Sequence, residues 1–174
     1  MEKKITTPVV KGLLISLLLI IFGMIIYFAN MEANSSIQYL QYIILIGGII
    51  WACTSFAKQS DGNVTFGNIF AHGFKTTAVV ICIICVYTAL AVYVLFPDLL
   101  DKIIEGARES MKKDGKLTDE QIQQALDLTK KFFLPFAIGG IIIFFAIVGA
   151  IASAIGAGVA KKNPQNPFNN QMNQ

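Results

Sequence analysis

Cys82-Ile-Ile-Cys85 has the spacing of a redox dithiol. Such a pair reacts through a thiolate, which needs a helix N-terminus or a positive charge beside it. An apolar segment offers neither, and these cysteines lie among Val79, Val80, Ile81, Ile83 and Ile84, with Lys75 about two turns from Cys82. The pair is expected to be inert, its cysteines acting as small hydrophobes. Membrane thiol redox chemistry through Cys82 and Cys85 is a remote alternative. The third cysteine, Cys53, leaves an odd count that does not read as a disulfide framework. His72, the only histidine, could serve as a proton relay or metal ligand. A metal site needs three or four ligands. No Cys, Asp or Glu stands at a helical spacing that would help it, so His72 reads as an interfacial surface residue. No catalytic residue, metal or cofactor is expected.

The elements that must carry these residues are unusually apolar. Of 174 residues 55% are hydrophobic and 14% charged, where a soluble domain carries about 25% charged. The charges are clustered. Four windows are free of them: 12–29, 37–57, 76–96 and 132–160. About 20 helical residues cross a hydrocarbon core of about 30 Å. Backbone groups in lipid must be satisfied within their own segment, so helix is the expected state. Four buried helices of a soluble protein would need a polar face to cover them, and none exists. The fold class is therefore all-α, a polytopic membrane protein with four spans forming one membrane domain over 1–160. The first run exceeds a signal peptide's apolar length and is followed by Asn30–Asn34, a poor cleavage site, so it reads as a retained span. The polar tail 161–174 reads as disordered.

Lysines set the expected orientation. Lys3, Lys4 and Lys11 precede the first span, and none lies in the first loop. Lys58 and Lys75 flank the second loop, and Lys161 and Lys162 follow the last span. Both termini are expected in the cytoplasm. The third loop dissents with seven basic residues against eight acidic ones.

That loop, 97–131, is the one sizeable polar element. Leu99, Leu100, Ile103, Ile104, Ala107 and Met111 mark one helical face, and Asp114-Gly115-Lys116 ends it. Thr118-Asp119-Glu120-Gln121 has the form of a capping box opening a second helix, with Ile122, Ala125, Leu126 and Thr129 on its narrower face. The two helices can close on each other as a hairpin, lie in the headgroup layer, or hold a protein partner. Pro97 and Pro135 mark its junctions as candidate hinges, where a fixed bend serves as well as a joint. In the second loop, Val64, Phe66, Ile69, Phe70 and Phe74 suggest a short interfacial helix capped near Thr65, with His72 and Lys75 at its polar edge.

The span middles carry no Asp, Glu, Lys, Arg or His, which argues against a proton-coupled carrier. A transporter subunit or a pore built of several copies remains the alternative function. Small residues recur at helical spacing: Gly48 and Ala52 on the second span, and Ala146, Gly149, Ala150, Ser153, Ala154, Ala157 and Gly158 on the fourth. Such faces let helices approach closely in lipid. They suit an intramolecular bundle, and a homo-oligomer through span four uses the same face. Expected partners are the lipid bilayer and a protein bound by the hairpin; nothing points to nucleic acid.

TFGNIFAHGFKTTAVV, VYTALAVYVLFPDLLDKIIEGARESM and LTDEQIQQALDLTKKFF occur in that order between the apolar spans. They resemble the bacterial four-span membrane family known as domain of unknown function 4199. The resemblance implies a Gram-negative cytoplasmic (inner) membrane location and transfers no activity and no catalytic residue. The sequence thus reads as a non-enzymatic structural, assembly or accessory membrane protein whose hairpin is its contact element.

Overall fold

The computed structural model describes residues 5–29 and 35–162. They form α1 (Pro8–Phe28), α2 (Ser35–Gln59), α3 (Phe66–Leu90) with a π-helical extension (Ala91–Leu95), α4 (Leu99–Asp114) and α5 (Asp119–Val159). No strand occurs among the described residues. Four helical segments are long and apolar enough to cross a membrane: Pro8–Phe28, Tyr39–Gln59, Phe66–Leu95 and Asp119–Val159. The fold is an all-α, multi-pass membrane architecture. The tail from 163 onward and Asn30–Asn34 lie outside the described residues.

Local chemistry sets the ends. Thr7 caps α1, accepting from the Val10 N–H at 3.4 Å, and Pro8 occupies the first turn, where its missing donor costs nothing. Between α2 and α3, Asp61 and Gly62 turn the chain at φ 52° and 75°, and the Gly62 N–H donates to the Ala57 carbonyl at 2.9 Å. Thr65 then caps α3 through the Asn68 N–H at 3.2 Å.

All four spanning helices begin before their charge-free windows do. Lys75 does not end a helix; it stays exposed while Thr76 and Thr77 turn inward. Phe66, Phe70 and Phe74 stack four apart along α3, with centroids 6.4 and 6.0 Å apart. The aromatic segment is thus the first part of span three rather than a separate interfacial helix. Likewise, α1 takes in Lys11. The second hairpin arm and span four are one 41-residue helix, with Pro135 inside it rather than at a break. In an apolar setting the carbonyl freed by a proline is better met by helical neighbours than by unwinding. The break falls at the other proline. Phe96, restricted by Pro97, leaves the helical region (φ −137°, ψ 72°), and its N–H donates back five residues to Ala91 at 2.8 Å.

The chain divides into two compact units. The first takes in Met1–Ile83 and Phe144–Gln174, the second Ile84–Ile143. In the first, Ile15, Leu19, Leu45, Ile49, Ile69 and Val80 are buried. Glycines set its close approaches. A Cβ on Gly12 would stand 2.7 Å from Val79, one on Gly156 would stand 2.7 Å from the Cys53 Cβ, and one on Gly149 would overlap Thr77.

In the second unit α4 packs on the π-helical segment, and α4 and the start of α5 close as an antiparallel hairpin. Lys130 donates to Asp101 at 3.0 Å; seven residues along each arm, Arg108 donates to Gln123, also at 3.0 Å. Ile122 and Leu126 are buried, as their spacing predicts. Gly115 ends α4 at φ 63°. The capping box forms reciprocally: the Gln121 N–H donates to the Thr118 Oγ1 at 3.3 Å, and the Thr118 N–H to the Gln121 Oε1 at 3.0 Å.

Candidate functional site

The residues with most latent chemistry meet in the first unit, in a polar layer built by four helices. Lys11, the fourth residue of α1, is fully buried. Its neighbours Gly12, Ile15, Ser16 and Leu19 share that face, so helical periodicity directs the ammonium inward. The Lys11 Nζ donates to the Ala52 carbonyl of α2 at 3.1 Å and lies 5.9 Å from the centroid of Phe56. A ring face is a favourable neighbour for a desolvated cation.

His72 of α3 stacks on the same Phe56 ring, with centroids 4.2 Å apart and planes 11° apart. It is 6% exposed, so the expectation of a surface histidine is overturned. Helical phase explains this: one turn apart, His72 and Thr76 both face the bundle, while Phe74 and Lys75 face out. Its Nε2 is buried without a hydrogen-bond partner, as is the Ser153 Oγ of α5. Nearby hydroxyls bond their own helices: Thr76 to the His72 carbonyl at 2.9 Å, Thr77 to Gly73 at 3.1 Å and Ser16 to Gly12 at 2.8 Å. The Cys53 Sγ lies 3.7 Å from the Ile69 carbonyl and 3.9 Å from that of Ser153. Gly73 brings α3 against this sulfur and the Ser153 hydroxyl; a Cβ there would meet both.

The layer therefore holds one lysine, one imidazole and one hydroxyl with unused bonding capacity inside an apolar bundle. Such groups can carry charge or a proton between helices, and ionisable residues inside membrane segments commonly mark function. The Asp101–Lys130, Glu105–Arg108 and Asp114–Lys116 ion pairs belong to the other unit. No three His, Cys, Asp or Glu residues gather as a metal site among the described residues.

Sequence reasoning placed Lys11 in a tail and His72 at a surface, and so missed the layer. The usable signal was the i, i+4, i+8 series Lys11, Ile15, Leu19, which puts the lysine on the buried stripe of its helix.

The other candidates scatter. On α5, Gly149, Ser153 and Ala157 are buried, Ala146 and Ala150 half-buried, and Ala154 and Gly158 exposed. On α2, Ala52 is buried and supplies the Lys11 acceptor, while half-buried Gly48 faces Ile15. Cys82 is exposed and Cys85 half-buried, neither in a disulfide. Pro97 and Pro135 are both exposed.

No solved structure matches the chain. A family model described as "Protein of unknown function (DUF4199)" matches residues 11–162, a stretch that begins at the buried lysine within α1 and runs past the end of α5. That match covers most of the 174 residues, and the chain belongs to the DUF4199 family.

Proposed function

We propose that this is a non-enzymatic structural, assembly or accessory protein of the bacterial cytoplasmic membrane, with both termini in the cytoplasm and the 97–131 hairpin as its contact element outside. The observation that carries this reading is the hairpin's self-sufficiency. Its apolar residues Ile122 and Leu126 are buried, its arms are joined at Asp101–Lys130 and Arg108–Gln123, and its outer surface is charged and exposed. An ordered polar element of this kind offers a protein partner a preformed surface. Ala154 and Gly158, small, exposed and four apart on α5, support a homo-oligomer through span four.

Crosslinking in native membranes from the exposed Glu109 and Lys116 positions tests the contact role. It should capture a defined partner, and replacing Asp98–Lys131 by a short linker should abolish that capture and reproduce the null phenotype. A linker variant with wild-type behaviour would end the proposal. A reporter fused at Gly115 checks the side, with a non-cytoplasmic signal expected.

A second reading, a transport or pore subunit, is favoured by one observation. Lys11 and His72 put ionisable groups inside the spans, where the sequence suggested none. Solute flux through liposomes containing this protein alone, abolished by His72→Phe, would support it over the accessory role.

A further inference from the structure

Between α1 and α2 runs an apolar groove of about 550 Å³, lined by Leu14, Leu18 and Ile21 on one side and Ile43, Gly47 and Trp51 on the other. Its volume is within the range of small-molecule sites, about 300–1,000 Å³. Gly47 forms an open stretch of floor, since a Cβ there would meet nothing within 4 Å. One position on, Gly48 is where the helices touch, with a Cβ 3.0 Å from Ile15. The groove is thus a gap left beside a tight contact, and its residues lie within segments apolar enough to span a membrane.

Its polar end is defined. The Thr6 N–H donates to the Gln59 Oε1 at 2.8 Å and the Gln59 Nε2 to the Thr6 Oγ1 at 3.0 Å, tying the start of α1 to the end of α2. Gln59 follows Trp51 by eight residues, about 12 Å of helix, and Thr6 lies two residues before α1 opens, eight ahead of Leu14. Lys58 follows Trp51 by seven residues, about two turns, and so stands over the same face of α2, exposed. Lys161 and Lys162 are exposed just past the end of α5, against a single described acid in this unit, Asp61. An apolar slot ending beneath a basic rim has the two halves of an acidic phospholipid's chemistry.

We propose that the α1–α2 groove binds an anionic phospholipid, one acyl chain lying along Leu14, Leu18, Gly47 and Trp51 and the headgroup phosphate meeting Lys58. The site requires no choice of membrane side. Each lysine near an anionic headgroup contributes about fivefold in affinity.

Trp51 is the only tryptophan in the chain and lines the groove, so it reports occupancy directly. The full-length protein is reconstituted in phosphatidylcholine vesicles containing equal mole fractions of brominated phosphatidylglycerol or brominated phosphatidylcholine. The brominated phosphatidylglycerol should quench Trp51 with a several-fold higher apparent affinity. Lys58→Gln should lower that preference by about fivefold. Gly47→Leu, which adds its side chain to open space, should reduce quenching by both lipids while leaving the helical circular dichroism unchanged. Equal quenching by the two lipids would overturn the proposal. So would a preference untouched by Lys58→Gln, or quenching untouched by Gly47→Leu. Quenching by neither lipid, the result of a second copy covering the groove, would overturn it too.

Discussion

The Lys11 ammonium donates to the Ala52 carbonyl at 3.1 Å from a position with no solvent access. A buried cation met by a carbonyl and a ring face gives up its hydration for little in return. Replacing such a group by an apolar side chain of similar volume is often neutral or stabilising, whereas truncation leaves a cavity. Lys11→Met is therefore expected to hold or raise the thermal midpoint in detergent. Lys11→Ala should destabilise by about 2–5 kcal/mol, the range for emptying a core site of that size. A Lys11→Met midpoint well below wild type would show that the lysine is structural.

Gly149 lets α5 approach Thr77 of α3 closely. A Cβ on Gly149 would stand 2.5 Å from the Thr77 Oγ1, with Cγ2 nearer still. Gly149→Ala should destabilise by about 1–3 kcal/mol through overpacking, and Thr77→Ala should restore much of that loss in the double variant. Gly158→Ala, where a Cβ meets nothing within 4 Å, should be neutral or stabilise by up to about 1 kcal/mol. Equal losses at the two glycines would remove the distinction between the buried and exposed sides of α5.

In the hairpin, apolar burial should outweigh charge. The Asp101–Lys130 pair is exposed, and such pairs contribute about 0–1 kcal/mol. Leu126 is 2% exposed, and emptying such a site costs about 2–5 kcal/mol. Hydrogen exchange across α4 should accelerate strongly in Leu126→Ala and scarcely in Lys130→Ala. The reverse order would mean that ion pairing holds the arms together.

The Thr118–Gln121 capping box predicts a local effect. Thr118→Ala should cost about 1 kcal/mol, seen as faster exchange at the first turn of α5 and faster proteolysis near Leu117. Thr118→Ser, which keeps the acceptor oxygen, should retain most of the protection. Exchange unchanged in Thr118→Ala would mean that packing of Ile122 alone fixes the turn.

Much of this architecture was legible because its signals are local. Charge-free runs locate the four spans, Gly115 marks the stop of α4, and the Thr118–Gln121 spacing marks the restart. Two things escaped for a shared reason. A lysine was read as punctuation, ending the tail at Lys11 and opening span three after Lys75. The charge of a side chain does not say which way its helix turns it, and that is decided by phase. Lys11 lies in register with Ile15 and Leu19 and goes in; Lys75 adjoins Phe74 and stays out. Pro135 escaped differently, because a proline breaks a helix more readily in water than where no solvent can take over the freed carbonyl.

Biogenesis inherits the position of Lys11. Its acceptor Ala52 and its ring neighbour Phe56 both belong to α2, about forty residues later in the chain. While a nascent chain has delivered only α1 to the translocon, the lysine has neither, and it must keep to water or headgroups at the mouth of the channel. The first helix is expected to settle to its final depth only once the second arrives, so that the two enter the bilayer as a pair.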